Sequence, residues 1–145
     1  EEIVAVTPEV EDDENEAIEV VTPATYYLKN GKHYIVYEEV VEGTSGVIKN
    51  RIKINGDECV EIVKSGLSNS HMIFEKNKKN QTFYKTPYGQ MLIGVNTRHL
   101  QVDFEEDKIA VQIDYELDVN HEPMADCKIR MNIVSKDSGK FSVLS

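Results

Sequence analysis

Apolar and polar side chains alternate along most of this chain, and the alternation predicts strands. In 109–119, Ile109, Val111, Ile113, Tyr115, Leu117 and Val119 share one parity, and Ala110, Gln112, Asp114, Glu116 and Asp118 share the other. A strand sends successive side chains to opposite faces, so this segment reads as a half-buried strand. Segment 128–133 repeats the pattern, with Ile129, Met131 and Ile133 opposite Lys128, Arg130 and Asn132. No stretch of a dozen residues carries a helical period. The same reading places strands at 3–6, 17–21, 24–29, 32–41, 47–54, 57–64, 70–75, 81–86, 89–102, 108–119 and 126–134.

The connections carry their own chemistry. Asn30-Gly31 and Asn55-Gly56 each lie between alternating runs. A two-residue type I′ turn needs positive φ at both central positions, which Asn-Gly tolerates at least cost, so each pair predicts a tight hairpin. At Thr86-Pro87-Tyr88-Gly89, proline presets φ for the second position of a turn and glycine suits the fourth. The polar run 76–80 and the stretch Asn120-His121-Glu122-Pro123 read as further turns. About ten short strands, hairpin-linked and buried on one face, predict an all-β protein. Its expected form is a closed or nearly closed, antiparallel, up-and-down β-barrel of about 8–10 strands, because closure removes exposed strand edges. A two-sheet β-sandwich is the alternative. The 145 residues suit one domain, 1–145, with an acidic loop at 9–16 and a polar C-terminal tail at 135–145.

The net charge of −10 changes this picture less than its size suggests. Nine acids and no base fall in the first nineteen residues, and the other 17 acidic and 16 basic residues nearly cancel. With no basic stripe for a phosphate backbone, no nucleic-acid partner is expected. The chain lacks an apolar run of the roughly 20 residues that a membrane helix needs, and no membrane partner is expected. The acidic run resembles a hard-cation loop in charge, but it lacks the glycine and terminal glutamate of an EF-hand. Cys59 and Cys127 are distant and outside any CxxC, so both are expected as thiols in a reducing cytoplasm. Asn80-Gln81-Thr82 matches a glycosylation pattern that has no meaning there.

Candidate chemistry rests on polar residues at apolar parity. Lys64 shares a face with Val60 and Ile62, Glu38 with Tyr34 and Val36, and Glu39 with Ile35 and Tyr37. An inward lysine must find a carboxylate or sit at a wet barrel mouth, so Lys64 is expected to pair with Glu38 or Glu39, or to reach water from a strand end. Seven tyrosines add rings whose hydroxyls can line a cavity, or serve as ordinary core and cross-strand pairs. The four histidines lie outside metal-ligand spacing of one another and of the cysteines, and no metal or cofactor is expected. There is no GxSxG around Ser65, Ser68 or Ser70, and no phosphate-cradling glycine loop.

These residues also resemble a family. YYLKNGKHYIVYEE at 26–39, IKI at 52–54, KSG at 64–66, MIFE at 72–75, YKTPYG at 84–89 and Tyr115-x-Leu117 come in the order of the YwiB-like family of small bacterial proteins, across roughly residues 18–134. The resemblance implies a lipocalin-like (calycin-like) β-barrel in the cytoplasm. It implies no established activity and supplies no catalytic residues. Arginine is usual in that family where Lys64 stands, and lysine offers a point charge instead of a planar fork. The leading expectation is a non-enzymatic barrel holding a small molecule. Its candidate ligand-binding residues are Tyr37, Glu38, Glu39, Lys64, Tyr84, Thr86, Tyr88 and Tyr115, with no catalytic residue and no metal ligand. The alternative is a filled barrel acting as a structural or interaction module, with a protein partner or as a homodimer. An acid–base enzyme using Glu38, Glu39 and Lys64 ranks third.

Overall fold

In a computed structural model of the chain, the alternating segments join one antiparallel sheet with no helix among the described residues. The structure describes residues 2–11, 18–19, 22–40, 43–66, 69–86 and 88–135, with side chains from residue 22 onward except those of residues 85 and 86. The strands are β1 (Glu2–Glu11), β2 (Ile18–Glu19), β3 (Thr22–Lys29), β4 (Lys32–Val40), β5 (Val47–Asn55), β6 (Cys59–Gly66), β7 (Ser70–Glu75), β8 (Lys79–Thr86), β9 (Gly89–Phe104), β10 (Lys108–Val119) and β11 (Glu122–Ser135).

Their hydrogen-bonded order is β7-β6-β5-β4-β3-β1-β11-β10-β9-β8, with β2 pairing the second half of β1. Nearly every neighbour in the sheet is a neighbour in sequence, and the pairing of β1 with β11 joins the two halves. The sheet is a continuous up-and-down path, and this rules out the two-sheet sandwich. Its two ends, β7 and β8, are linked by three residues, so the sheet has curled round on itself. The ladder between them is missing. At the linking loop, Lys76 N donates to Glu58 O at 3.2 Å and Thr97 N to Lys78 O at 3.1 Å, which ties the loop to both flanks. Beyond it the two strands run unpaired along a seam.

The inward face is apolar, as the parity predicts. Ile35, Ile52, Ile54, Val60, Phe74 and Ile113 are fully buried, and Tyr115 is nearly so. The ring of Phe74 meets that of Tyr115 edge-on at 4.9 Å, a favourable aromatic geometry. In β9 the inward parity changes from Val95 and Thr97 to Leu100 and Val102, because Arg98 has no partner between Tyr115↔Thr97 and Asp114↔His99. A second slip leaves Met124 unmatched between Leu117↔Ala125 and Asp118↔Pro123. Such bulges bend a strand and raise its twist, which suits a sheet that curls.

The turns depart from expectation in places. Asn30 and Gly31 have φ of 52° and 74°, as a type I′ turn requires. Asn55 instead ends β5 opposite Cys59, so residues 56–58 form a three-residue loop in which Gly56 carries the positive φ. At the β10–β11 link the two-residue turn falls on Asn120 and His121, both with positive φ. Pro123 therefore lies inside β11 at the bulge, where a missing N–H is tolerated. Residues 9–11 of the expected acidic loop belong to β1, paired with β11. Residues 12–17, Pro87 and residues 136–145 lie outside the described residues. Asn80 is the second residue of β8 and its Nδ2 is buried, so it is not an accessible glycosylation site.

Gly66 is the glycine that the sheet most requires. Its φ is +113°, and a Cβ there would lie 2.5 Å from the backbone oxygen of Val47 on the paired strand. Gly31 also has positive φ, but nothing stands within 4 Å of a Cβ there. Gly66→Ala is therefore expected to destabilise by at least about 1–3 kcal/mol from backbone strain, and Gly31→Ala by about 1 kcal/mol. Denaturant melts of the two variants check this, and equal losses would contradict the close-approach account.

Candidate functional site

Antiparallel pairing brings three inward polar residues to one rim of the curled sheet, the rim carrying residues 43–46, 69, 88 and 120–121. Glu39 follows Ile35 and Tyr37 on β4, Asn50 precedes Ile52 and Ile54 on β5, and Lys64 follows Val60 and Ile62 on β6. The registers Glu39↔Ile48 and Asn50↔Lys64 place them side by side. Lys64 Nζ donates to Glu39 Oε1 at 3.0 Å, and Asn50 Nδ2 donates to the same oxygen at 2.7 Å. Lys64 therefore pairs with Glu39. Glu38 is on the outer face, opposite Lys49.

The electrostatics follow from this arrangement. Burial pushes the Glu39 carboxyl up, but the hydrogen bonds from Lys64 and Asn50 and the Lys64 charge outweigh it and hold the group below its ordinary value. Lys64 and Glu39 keep 36% and 42% of their side chains exposed, so solvent screens the pair. Asn50 has no exposure, and its Oδ1 accepts no hydrogen bond from the protein. Tyr37, next inward from Glu39, is pushed up to about 12, first by burial and then by the Glu39 charge. Tyr115 is also pushed up, by burial first and then by Cys127.

Lys64 lines a cleft of about 1000 Å³ that opens along the seam between β7 and β8. Met72, Met91, Ile93 and Leu117 form its apolar wall, and Ser65, Ser70, Tyr84 and Tyr115 bring hydroxyls to it. Of the expected site residues, Lys64, Tyr84 and Tyr115 line the cleft, and Glu39 and Tyr37 stand behind Lys64. Tyr88 occupies the β8–β9 turn at 99% exposure, away from them. Thr86 ends β8, and its side chain lies outside the described residues. Asn50 was missed, although its place two residues before Ile52 and four before Ile54 carries the same parity signal that marks Lys64. Met91 and Met72 belong to the cleft wall, and Met72 also packs against the buried core. Among the described residues, no group of three or more His, Cys, Asp and Glu side chains is placed to hold a metal ion.

The opposite rim holds a smaller cavity of about 310 Å³, lined by Tyr26, His33, Phe104, Ile109 and Ile133 beside the 105–108 turn. Tyr26 Oη and His33 Nδ1 are 2.6 Å apart, and the His33 ring tilts against Phe104 at 4.9 Å. Burial lowers the His33 pKa. We place the site in the larger cleft because the inward ionic group lies there.

A cleft flanked by an inward ion pair, in a curled up-and-down antiparallel sheet, defines this as a β-barrel protein with an open seam. The chain belongs to the family described as Domain of unknown function (DUF1934), which it matches over residues 4–131. It is 32% identical over 114 residues to the "Uncharacterized beta-barrel protein YwiB" of Bacillus subtilis (strain 168), a match covering 78% of each chain. The crystal structure of the ywiB protein from Bacillus subtilis matches with a TM-score of 0.71 at 24% identity, over 92% of this chain and 89% of that one. The family resemblance and the barrel fold expected from the sequence both hold.

Two titrations follow from the ion pair. The folded Glu39 value is depressed, so its stabilisation is present above the ordinary carboxyl value of 4.5 and fades as pH falls through the depressed value. Glu39→Gln is expected to cost roughly 0.5 kcal/mol at neutral pH, as for a screened pair, with the gap closing in acid. Urea melts across pH check this, and a gap independent of pH counts against it. For Tyr37 the folded value is raised, so its contribution is present below 10 and is lost as pH rises through about 12. Ultraviolet titration should show a late tyrosinate step that Tyr37→Phe diminishes and Glu39→Gln moves to lower pH.

Proposed function

We propose that this protein is a non-enzymatic binder of a small molecule held in the cleft beside Lys64. The single observation that carries this reading is the cleft itself: about 1000 Å³ of space bounded by an apolar wall and a few convergent polar groups. Binding sites commonly occupy about 300–1,000 Å³ with that composition. An eight-strand-scale barrel has room inside for side chains or for one small ligand, and here the packed layer around Ile35, Ile52 and Phe74 leaves the space to one rim. Lys64, Tyr84 and Tyr115 orient the ligand, while Glu39 fixes Lys64 from behind and Asn50 holds the same Glu39 oxygen. Glu39 is held as an ion by two donors, which favours a fixed anchor over a proton-transfer role.

A second reading, a protein-interaction module, is favoured by exposed apolar side chains. Phe83, which lines the cleft mouth from β8, is 68% exposed, and Tyr88, Val40 and Met124 are also exposed towards the cleft rim. Such residues at a rim suit a protein partner or a second copy of the chain.

A thermal-shift screen against metabolites and lipids, followed by titration of the hits, tests the first reading. Hits are expected to raise the melting temperature of the wild type. Leu117→Trp, which fills the cleft from its wall, should remove the shift and leave the fold intact by circular dichroism. Hits that bind Leu117→Trp as well as the wild type would place the ligand elsewhere, and an absence of hits alongside a stable complex with a protein or a second copy would favour the second reading.

A further inference from the structure

We propose that the ligand of this cleft is an amphipathic anion: a carboxylate or phosphate head seated on Lys64, with an unbranched apolar tail along the wall of Met72, Met91, Ile93 and Leu117. This rests on the small-molecule reading above and adds the chemical class.

The charge of the cleft carries the inference. The chain has 26 acidic and 16 basic residues, yet among the described residues no aspartate or glutamate lines the cleft. Among the described residues, Lys64 is the ammonium that lines it, and the imidazole of His71, also in the lining, is engaged by Glu61 on the outer face. Among the described residues, Lys64 is thus the charge available to a ligand. Its ammonium has three N–H donors, and one is committed to Glu39. Glu39 approaches from the β4 side and does not line the cleft. The lysine is held in place from behind and keeps donors for a second anion.

The alternatives fare worse on the same geometry. An organic cation would meet Lys64 with no lining carboxylate to offset it. A wholly apolar ligand would desolvate the ammonium and the hydroxyls of Ser65, Ser70 and Tyr84 without replacing their hydrogen bonds, which is costly. An anionic head satisfies these donors, and charge-assisted bonds of this kind are the strong ones. Thioether side chains adapt to a flexible chain better than branched ones, and two of them, Met72 and Met91, belong to the wall. The unpaired seam between β7 and β8 gives a long tail a way in that a closed ladder would deny.

The test compares four probes with one chain length: dodecanoate, dodecyl phosphate, dodecanol and dodecylammonium, each below its aggregation threshold and read by displacement of an apolar fluorophore. Both anions are expected to bind at least about tenfold more tightly than dodecanol, and dodecylammonium more weakly still. The anion that binds more tightly identifies the head. Lys64→Met should cost the anions about tenfold and leave dodecanol unchanged, and Lys64→Arg should keep anion binding. Glu39→Gln, which removes the competing carboxylate, should tighten the anions several-fold; a purely structural pair would weaken them. Anion affinity should also fall with added salt while that of dodecanol does not, a readout on the wild type that needs no folded variant. Dodecanol binding as tightly as the anions, or salt-independent anion binding, would overturn the head-group assignment and leave the binding reading standing. No binding of any probe, alongside hits of other chemistry in the screen, would also overturn this inference alone. No binding by any compound would overturn both.

Discussion

The open seam between β7 and β8 is the constraint on which the site depends. A sheet with one apolar face must curl to hide it, and a curled sheet normally seals its edges with a last ladder. Here the ladder order ends at β7 on one side and at β8 on the other. The strands meet at their three-residue link, where backbone bonds to β9 and to the 56–58 loop hold them, and then part. The space between them is continuous with the interior at one rim. Had they paired, Met72, Met91 and Ile93 would close into core, and Lys64 would lose its access to solvent.

The ion pair shows how polar groups are tolerated inside such a sheet. Lys64 and Glu39 are inward by parity, and an isolated charge at either place would be costly. They lie near the ends of β4 and β6, on either side of β5, where the barrel is wet, and each keeps more than a third of its side chain exposed. Asn50 completes the group by donating to the oxygen that Lys64 also uses. Its own Oδ1 is buried without a protein donor. A buried unsatisfied acceptor is expensive, and this one sits beside the inward ion pair. A bidentate arginine would reach both Glu39 oxygens; the lysine here makes one contact, to the oxygen that Asn50 shares.

The same reasoning separates candidate residues that sequence parity cannot. Glu38 and Glu39 are adjacent and both follow apolar alternation, because β4 is apolar on two faces near Tyr34, Ile35, Val36 and Tyr37. Tyr34 stacks on Tyr27 at 4.9 Å on the outer side, while Ile35 and Tyr37 are buried within. Only the curl of the sheet tells which face is inside. Tyr84 and Tyr88 lie in one motif, yet one enters the cleft and the other stands in solvent, since a tight turn separates them.

The strands and their inward residues were largely legible in the chain, because burial on one face leaves a period of two and hairpins leave Asn-Gly and proline signals. Ile113, Tyr115, Ile129 and Ile133 fall inside as the alternation requires. The bulge at Arg98 was not read from the chain, where 89–102 stood as one uninterrupted strand. Other features were settled by the tertiary structure: the three-residue loop after Asn55, the entry of Pro123 into β11, the choice of Glu39 over Glu38, and the place of Asn50 beside them. The seam belongs to the same group. Local sequence sets which way each side chain alternates, but the closure of a curled sheet depends on the summed twist and register of every strand, and no short window of residues contains that sum.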